Sequence, residues 1–127
     1  MEEVLRAKLL ATAALTTIVQ QRVDWNARPQ GDDLPAVSLE LISSLPQITM
    51  DGPAAWTRAR VQIDVWARTH KSSRDIANII ATALHGFRDT LSAVRIRTFI
   101  ISRRGDTDTD TTGTIHRASI DALVWYA

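Results

Sequence analysis

The chain has 127 residues, enough for one domain that buries roughly two thirds of its unfolded surface without staples. Its 15 basic and 14 acidic residues nearly cancel, which removes the electrostatic footprint of a nucleic-acid or anionic-membrane binder. With no cysteine there is no disulfide framework or thiol nucleophile, and neither a basic leader nor a membrane-length apolar run is present, so a soluble cytoplasmic product is expected.

Glu2 to Val19 is expected as a helix: Val4, Ala7, Ala11, Ala14, Leu15 and Ile18 share a stripe, and Glu2 and Glu3 suit its N-terminal dipole. Gln20 to Pro35 reads as irregular, with Arg28-Pro29-Gln30-Gly31-Asp32-Asp33 as a polar loop. Ala36 to Leu45 sets Val37, Leu39 and Leu41 against Ser38, Glu40 and Ile42, a first strand. The turn Asp51-Gly52-Pro53 leads into the strongest signal, Thr57 to Arg68. There Ala59, Val61, Ile63, Val65 and Ala67 alternate with Arg58, Arg60, Gln62, Asp64, Trp66 and Arg68, a long strand with one dry face. Ser72 or Ser73 caps a second helix, with Ile76, Ile79, Ile80, Ala83, Leu84 and Phe87 as its stripe and Gly86 as its left-handed stop. Val94–Arg103 and Thr114–Tyr126 are two further strands, joined by Arg104 to Gly113. The order is αββαββ. Two one-striped helices covering one face of a four-stranded, mainly antiparallel sheet make a two-layer α+β domain over residues 1–127.

The other sheet face then carries Trp66, Phe99, Ile101, Leu123 and Trp125 among Arg58, Arg60, Asp64, Arg97, Arg103, Arg117 and Asp121. Apolar groups rimmed by arginine mark interaction surfaces. Arg58, Arg60, Asp64, Trp66, Phe99, Leu123 and Trp125 are therefore the candidate subunit contacts. Lys8 and Lys71 are the only lysines, and arginine grips carboxylates at interfaces better than lysine does; a high-GC genome gives the same bias.

Catalytic chemistry is hard to find. His70, His85 and His116 lack metal-site spacing; no strained serine turn or glycine-rich phosphate loop occurs. No cofactor is expected. The stretch Gly105-Asp106-Thr107-Asp108-Thr109-Asp110-Thr111-Thr112-Gly113 opens like a calcium loop, but its glycine is misplaced and the bidentate glutamate is missing. It reads as a polar hairpin loop, with Arg104, Asp106, Asp108 and Asp110 as a candidate contact toward a lumen or tube.

The acidic Met-Glu-Glu start, Leu34-Pro35-Ala36-Val37, and Asp51-Gly52-Pro53 running into Arg58-Ala59-Arg60-Val61-Gln62-Ile63-Asp64-Val65-Trp66-Ala67 together resemble the tail-completion or tail-terminator family of long-tailed phages, prophages and gene transfer agents. Ala83-Leu84-His85-Gly86-Phe87 and the Asp110…Thr112-Gly113 segment before a strand ending Val124-Trp125 extend the likeness over nearly the whole chain. The resemblance implies an α+β virion protein without enzymatic activity, assembled in the host cytoplasm. It implies a homo-hexameric ring that caps the tail tube, ends its polymerisation and meets the head connector or stopper, while DNA passes through the lumen without specific binding and no membrane is involved. Alternatives are a neighbouring connector stopper or tube component, a dimeric binding module, or a small hydrolase or metal-binding enzyme.

Overall fold

The computed structural model describes residues 1–20, 22–26, 35–49, 52–91, 93–110 and 113–127, and their side chains apart from those at 47–49, 52–55, 91, 106, 108–110 and 113–114. The expected polar loop at 28–33, the residue Asp51 of the expected turn and the tip residues Thr111 and Thr112 lie outside them. The elements run α1 (Glu2–Leu10), α2 (Ala13–Val19), β1 (Val23–Trp25), β2 (Ala36–Thr49), β3 (Gly52–Ala67), α3 (His70–Leu84), β4 (Arg88–Leu91), β5 (Val94–Asp110) and β6 (Gly113–Tyr126).

The expected four-stranded sheet with two helices is corrected by this order. The sheet has six strands in the order β1-β2-β3-β6-β5-β4, curled into a half-barrel, and is mixed because β1 runs parallel to β2. β1 and β4 have three and four residues, too few to show a period, and both carry charge. β1 is held by its surroundings: Arg6 Nε donates to the Val23 carbonyl at 2.7 Å and Trp25 Nε1 to the Glu2 carbonyl at 3.1 Å.

The single N-terminal helix is also corrected, to two. Thr12 stands extended at φ −81°, ψ 102°, its carbonyl accepting from the backbone N–H groups of Leu15 and Thr16 and its Oγ1 donating to the Lys8 carbonyl at 3.0 Å. A threonine hydroxyl competes for helix backbone groups in this way, and here the competition splits the helix. The buried residues are Val4, Leu5, Leu9, Leu15 and Val19, whereas Ala7, Ala11, Ala14 and Ile18 are exposed. The third helix starts earlier than expected. Thr69, not Ser72 or Ser73, is the cap, its side chain accepting from the Ser72 N–H, so His70 opens the helix. Gly86 follows the helix at φ +77°, the conformation that only glycine adopts freely.

The dry face of β3 anticipates the core. Val61, Ile63 and Val65 are fully buried with Leu39, Ile120, Ala122, Val124 and the Ile76, Ile80 and Leu84 stripe of α3. Of three register shifts, those between Leu41 and Ser43 and between Ile100 and Ser102 each insert one residue and exchange the faces of the residues that follow; the third lies between Pro46 and Ile48.

Candidate functional site

Strand register lays the face turned away from the helices out in rows. One row runs Leu45, Arg58, Trp125, Arg97, Arg88 across five strands; the next runs Ser43, Arg60, Leu123, Phe99. Glu40, Gln62, Asp121 and Ser102 make a third row, Ser38, Asp64, Ser119 and Arg104 a fourth, and Ala36, Trp66, Arg117 and Asp106 a fifth. All seven candidate contact residues share this face, so alternation in β3 and β6 placed them together.

Their surroundings differ sharply along the face. In the first two rows Leu45 is 51% and Phe99 42% exposed, and the neighbouring bulge residue Ile101 is 52% exposed. Guanidinium groups lie over indole rings there: Arg58 is 5.8 Å from Trp125, and Arg95 and Arg97 are 4.7 and 5.3 Å from Trp56. Stacked arginine sheds water from its faces while its edge N–H groups stay free to donate, which suits a contact surface.

In the middle rows two carboxylates are satisfied from within the subunit. Asp121, 4% exposed, accepts from Arg60 at 2.9 Å, Ser102 Oγ at 3.0 Å and Arg104 at 3.3 Å. Asp64 is buried and accepts from Ser119 Oγ at 2.6 Å and from Gln62 Nε2 at 3.0 and 3.1 Å. Asp64 is thus a structural anchor among the proposed contacts. Arg60, half exposed, keeps an outward part. Trp66 donates Nε1 to Ser38 Oγ at 3.0 Å and lies under Arg117 at 5.5 Å.

Burial by itself raises the pKa of Asp121, but hydrogen bonds from Arg60 and Ser102 and the charges of Arg60 and Arg104 outweigh it, so the carboxyl sits below the usual carboxylate range. A depressed folded pKa stabilises the fold fully above the unfolded value, about 3.9, and the contribution is lost as pH falls through the folded value. Asp121→Asn is therefore expected to cost about 1–3 kcal/mol near neutral pH, toward the low end because the arginine partners are half exposed. Thermal melts down an acid series check it: the gap between wild type and variant closes as Asp121 protonates. A gap that stays constant with pH would refute the assignment.

The bulge at Ile101 moves Arg103, expected on this face, to the helix side, where its Nη2 donates to Asn78 Oδ1 at 2.8 Å. The same bulge brings Arg104 onto the outer face, with Nη2 also 3.3 Å from Gln62 Oε1. The expected hairpin loop from Arg104 to Gly113 is corrected as well: β5 continues to Asp110 and β6 resumes at Gly113, a paired arm. The side chains of Asp106, Asp108 and Asp110 lie outside the described ones. Trp56, Leu45 and Arg95 were missed by sequence reasoning, although Trp56 continues the even positions of β3 upstream and so carried the signal.

The histidines do not gather into a site. His85 Nδ1 accepts from the Ile100 N–H at 3.2 Å, and His70 meets His116 edge to face at 6.1 Å between centroids. Among the described residues no cluster could hold a metal ion, and no helix is long and apolar enough to cross a membrane.

A sheet face of arginine, tryptophan and exposed apolar groups, with Asp64 and Asp121 held from within the subunit, has the make-up of a contact surface. The chain belongs to the tail completion protein gp17 family, whose model matches residues 3–127. It is a phage-type tail structural protein, and its place is the virion. By sequence, no curated protein matches it. Among solved structures, a chain of the virion of a native gene transfer agent particle superposes with a TM-score of 0.74 at 17% identity, covering 97% of this chain and 92% of that one. A second solved chain superposes with a TM-score of 0.54 at 15% identity, covering 98% and 95% respectively. At these identities the two structures show a shared fold.

Proposed function

We propose that this protein caps the finished tail tube as a closed homo-hexameric ring, ends tube polymerisation and joins the tail to the head connector or stopper. The observation that carries the reading is the pair of rows Leu45–Arg58–Trp125–Arg97 and Ser43–Arg60–Leu123–Phe99, an apolar and arginine-rich surface left open on one subunit. Arg58, Arg60, Trp66, Phe99, Leu123 and Trp125 form the subunit contact, with Asp64 holding the sheet beneath them. β1 covers β2 only at Val37 to Leu39, so the β2 edge beyond it, with Leu41 and Ile42 exposed, is open beside that face. A contact between unlike patches closes a ring when its rotation divides a full turn.

The arm bearing Arg104, Asp106, Asp108 and Asp110 is the contact toward the lumen or the tube, with Arg104 anchored at its base by Asp121 of the same subunit. A net charge of +1 leaves little to hold DNA phosphates, which suits a lumen that DNA crosses unbound. The reading is tested by mixing the purified protein with tail-tube subunits and measuring tube length by electron microscopy. Tubes that stop growing and carry a ring at one end support it. Tubes that grow unchanged, with the protein unbound, refute it and point to a stopper or tube component instead.

A further inference from the structure

Where β6 stops, the outer face ends in four exposed arginines: Arg58 on β3, Arg88 on β4, and Arg95 and Arg97 on β5. Arg58, Arg97 and Arg88 share one row of the register, and Trp56 reaches past the end of β6 to lie under Arg95 and Arg97. Among the described residues none of the four guanidinium groups makes an ion pair. The nearest carboxylates on this face, Glu40 and Asp121, stand two rows away, and Asp121 is already held by Arg60, Ser102 and Arg104. Asp89, beside Arg88 in the chain, has the opposite parity and accepts from the Thr90 N–H at 2.7 Å. The patch therefore presents guanidinium groups with no carboxylate of its own, and guanidinium suits a bidentate grip on carboxylates.

The same end of the subunit carries the opposite sign on its other face. Glu2 and Glu3 are exposed in the first turn of α1, while Val4, Leu5 and Leu9 of that helix are buried in the core on the helix side of the sheet. Trp25 Nε1 holds this turn through the Glu2 carbonyl at 3.1 Å. Both glutamates line a cleft with Val94 and Tyr126, the chain neighbours of Arg95 and Trp125. Neither glutamate has an ion pair among the described residues. Acids and arginines thus stand near one level along the strands, with the sheet between them.

We propose that the arginine patch of each subunit receives the acidic first turn, Glu2 and Glu3, of the next copy of this chain. This rests on the ring reading and names one of its contacts. When subunits stand around an axis that runs along their strands, the face of one is turned to the back of the next at the same level. Opposite charges at one level on opposite faces then meet between copies and not within one, in the head-to-tail contact that closes a ring. The glutamates are preferred to a nucleic acid for two reasons. The indoles of Trp56 and Trp125, which could stack bases, lie under guanidinium groups, and a chain of 15 basic and 14 acidic residues has almost no net charge to spare for a polyanion.

Charge exchange tests it, with rings counted on tail tubes by electron microscopy and mass measured in solution. Arg88→Glu with Arg95→Glu, and separately Glu2→Lys with Glu3→Lys, are each expected to weaken association roughly tenfold or more per contact. An equimolar mixture of the two variants is expected to recover rings, because each patch then meets a first turn of opposite sign in an alternating ring. The chain carrying all four substitutions recovers them too. Milder Arg88→Gln/Arg95→Gln and Glu2→Gln/Glu3→Gln chains, with unchanged circular dichroism, should weaken assembly without rescue on mixing. If wild type forms rings and the folded variants form them equally well alone, the patch contact is wrong and the ring reading stands. The patch contact is equally wrong if folded reversed variants fail to rescue one another, or if the patch variant keeps its rings and loses only duplex-DNA retention. If wild type forms no ring, free or on tubes, both readings fall.

Discussion

Phe99→Asp combined with Leu45→Asp is expected to leave the subunit folded and to abolish capping. Both side chains are about half exposed on the outer face, so the folded monomer should change by within about 0.5 kcal/mol. In an assembled contact the same groups are apolar anchors beside stacked arginines, and truncating such an anchor costs about 2 kcal/mol or more. An aspartate buried there without a partner adds its desolvation, so each contact should weaken by about thirtyfold or more. A ring repeats the loss at every contact. The check is paired: thermal melts that coincide with wild type, and tubes that overrun their normal length when subunits and variant are mixed. Capped tubes of normal length would place the subunit contact elsewhere on the molecule.

Much of that outer face is legible in the sequence, and the reason is geometric. A strand alternates its side chains whatever surrounds it, so Thr57 to Ala67 of β3 declare their two faces in the sequence alone. The stripe of α3 is legible for the same reason at a period of 3.6. What stayed hidden depends on neighbours. β1 exists because Arg6 and Trp25 tie it to α1, and nothing in Val23-Asp24-Trp25 announces that. The bulge at Ile101 is a one-residue event inside an unbroken apolar run, yet it decides that Arg104 faces outward and Arg103 faces the helix. Asp64 and Trp66 look alike by parity. Only the folded surroundings show that Ser119 across the strands and Gln62 along β3 seal the first, while the second retains a partly open ring.

The sealed middle of the outer face has a further meaning for assembly. Asp64 and Asp121 have their acceptor capacity filled from within the subunit, so they offer little to a partner. Contact energy is left to the apolar, arginine-stacked rows near Leu45 and Phe99. Their apolar groups supply area that is removed from water, and their arginine N–H groups supply direction.

Ile63→Ala is expected to be the most damaging single truncation of the sheet, at about 3–4 kcal/mol. Ile63 sits at the centre of β3, in register with Leu39 on one side and Ile120 on the other, and all three are fully buried. Strands on both sides fix its backbone, so the hole left by the lost methyl and methylene groups cannot close by sliding β3. The transfer loss and the cavity cost then add. For a domain of this size the melting temperature should fall by roughly 10–15 °C. Ile63→Val, which removes one methylene, should cost about 1 kcal/mol and separates cavity from mere substitution. Because the outer face is built on the reverse side of the same strand, the alanine variant should also weaken capping near its own melting point and leave it intact well below. A loss of capping at low temperature, with the fold preserved, would mean that the core row tunes the curvature of the contact face directly.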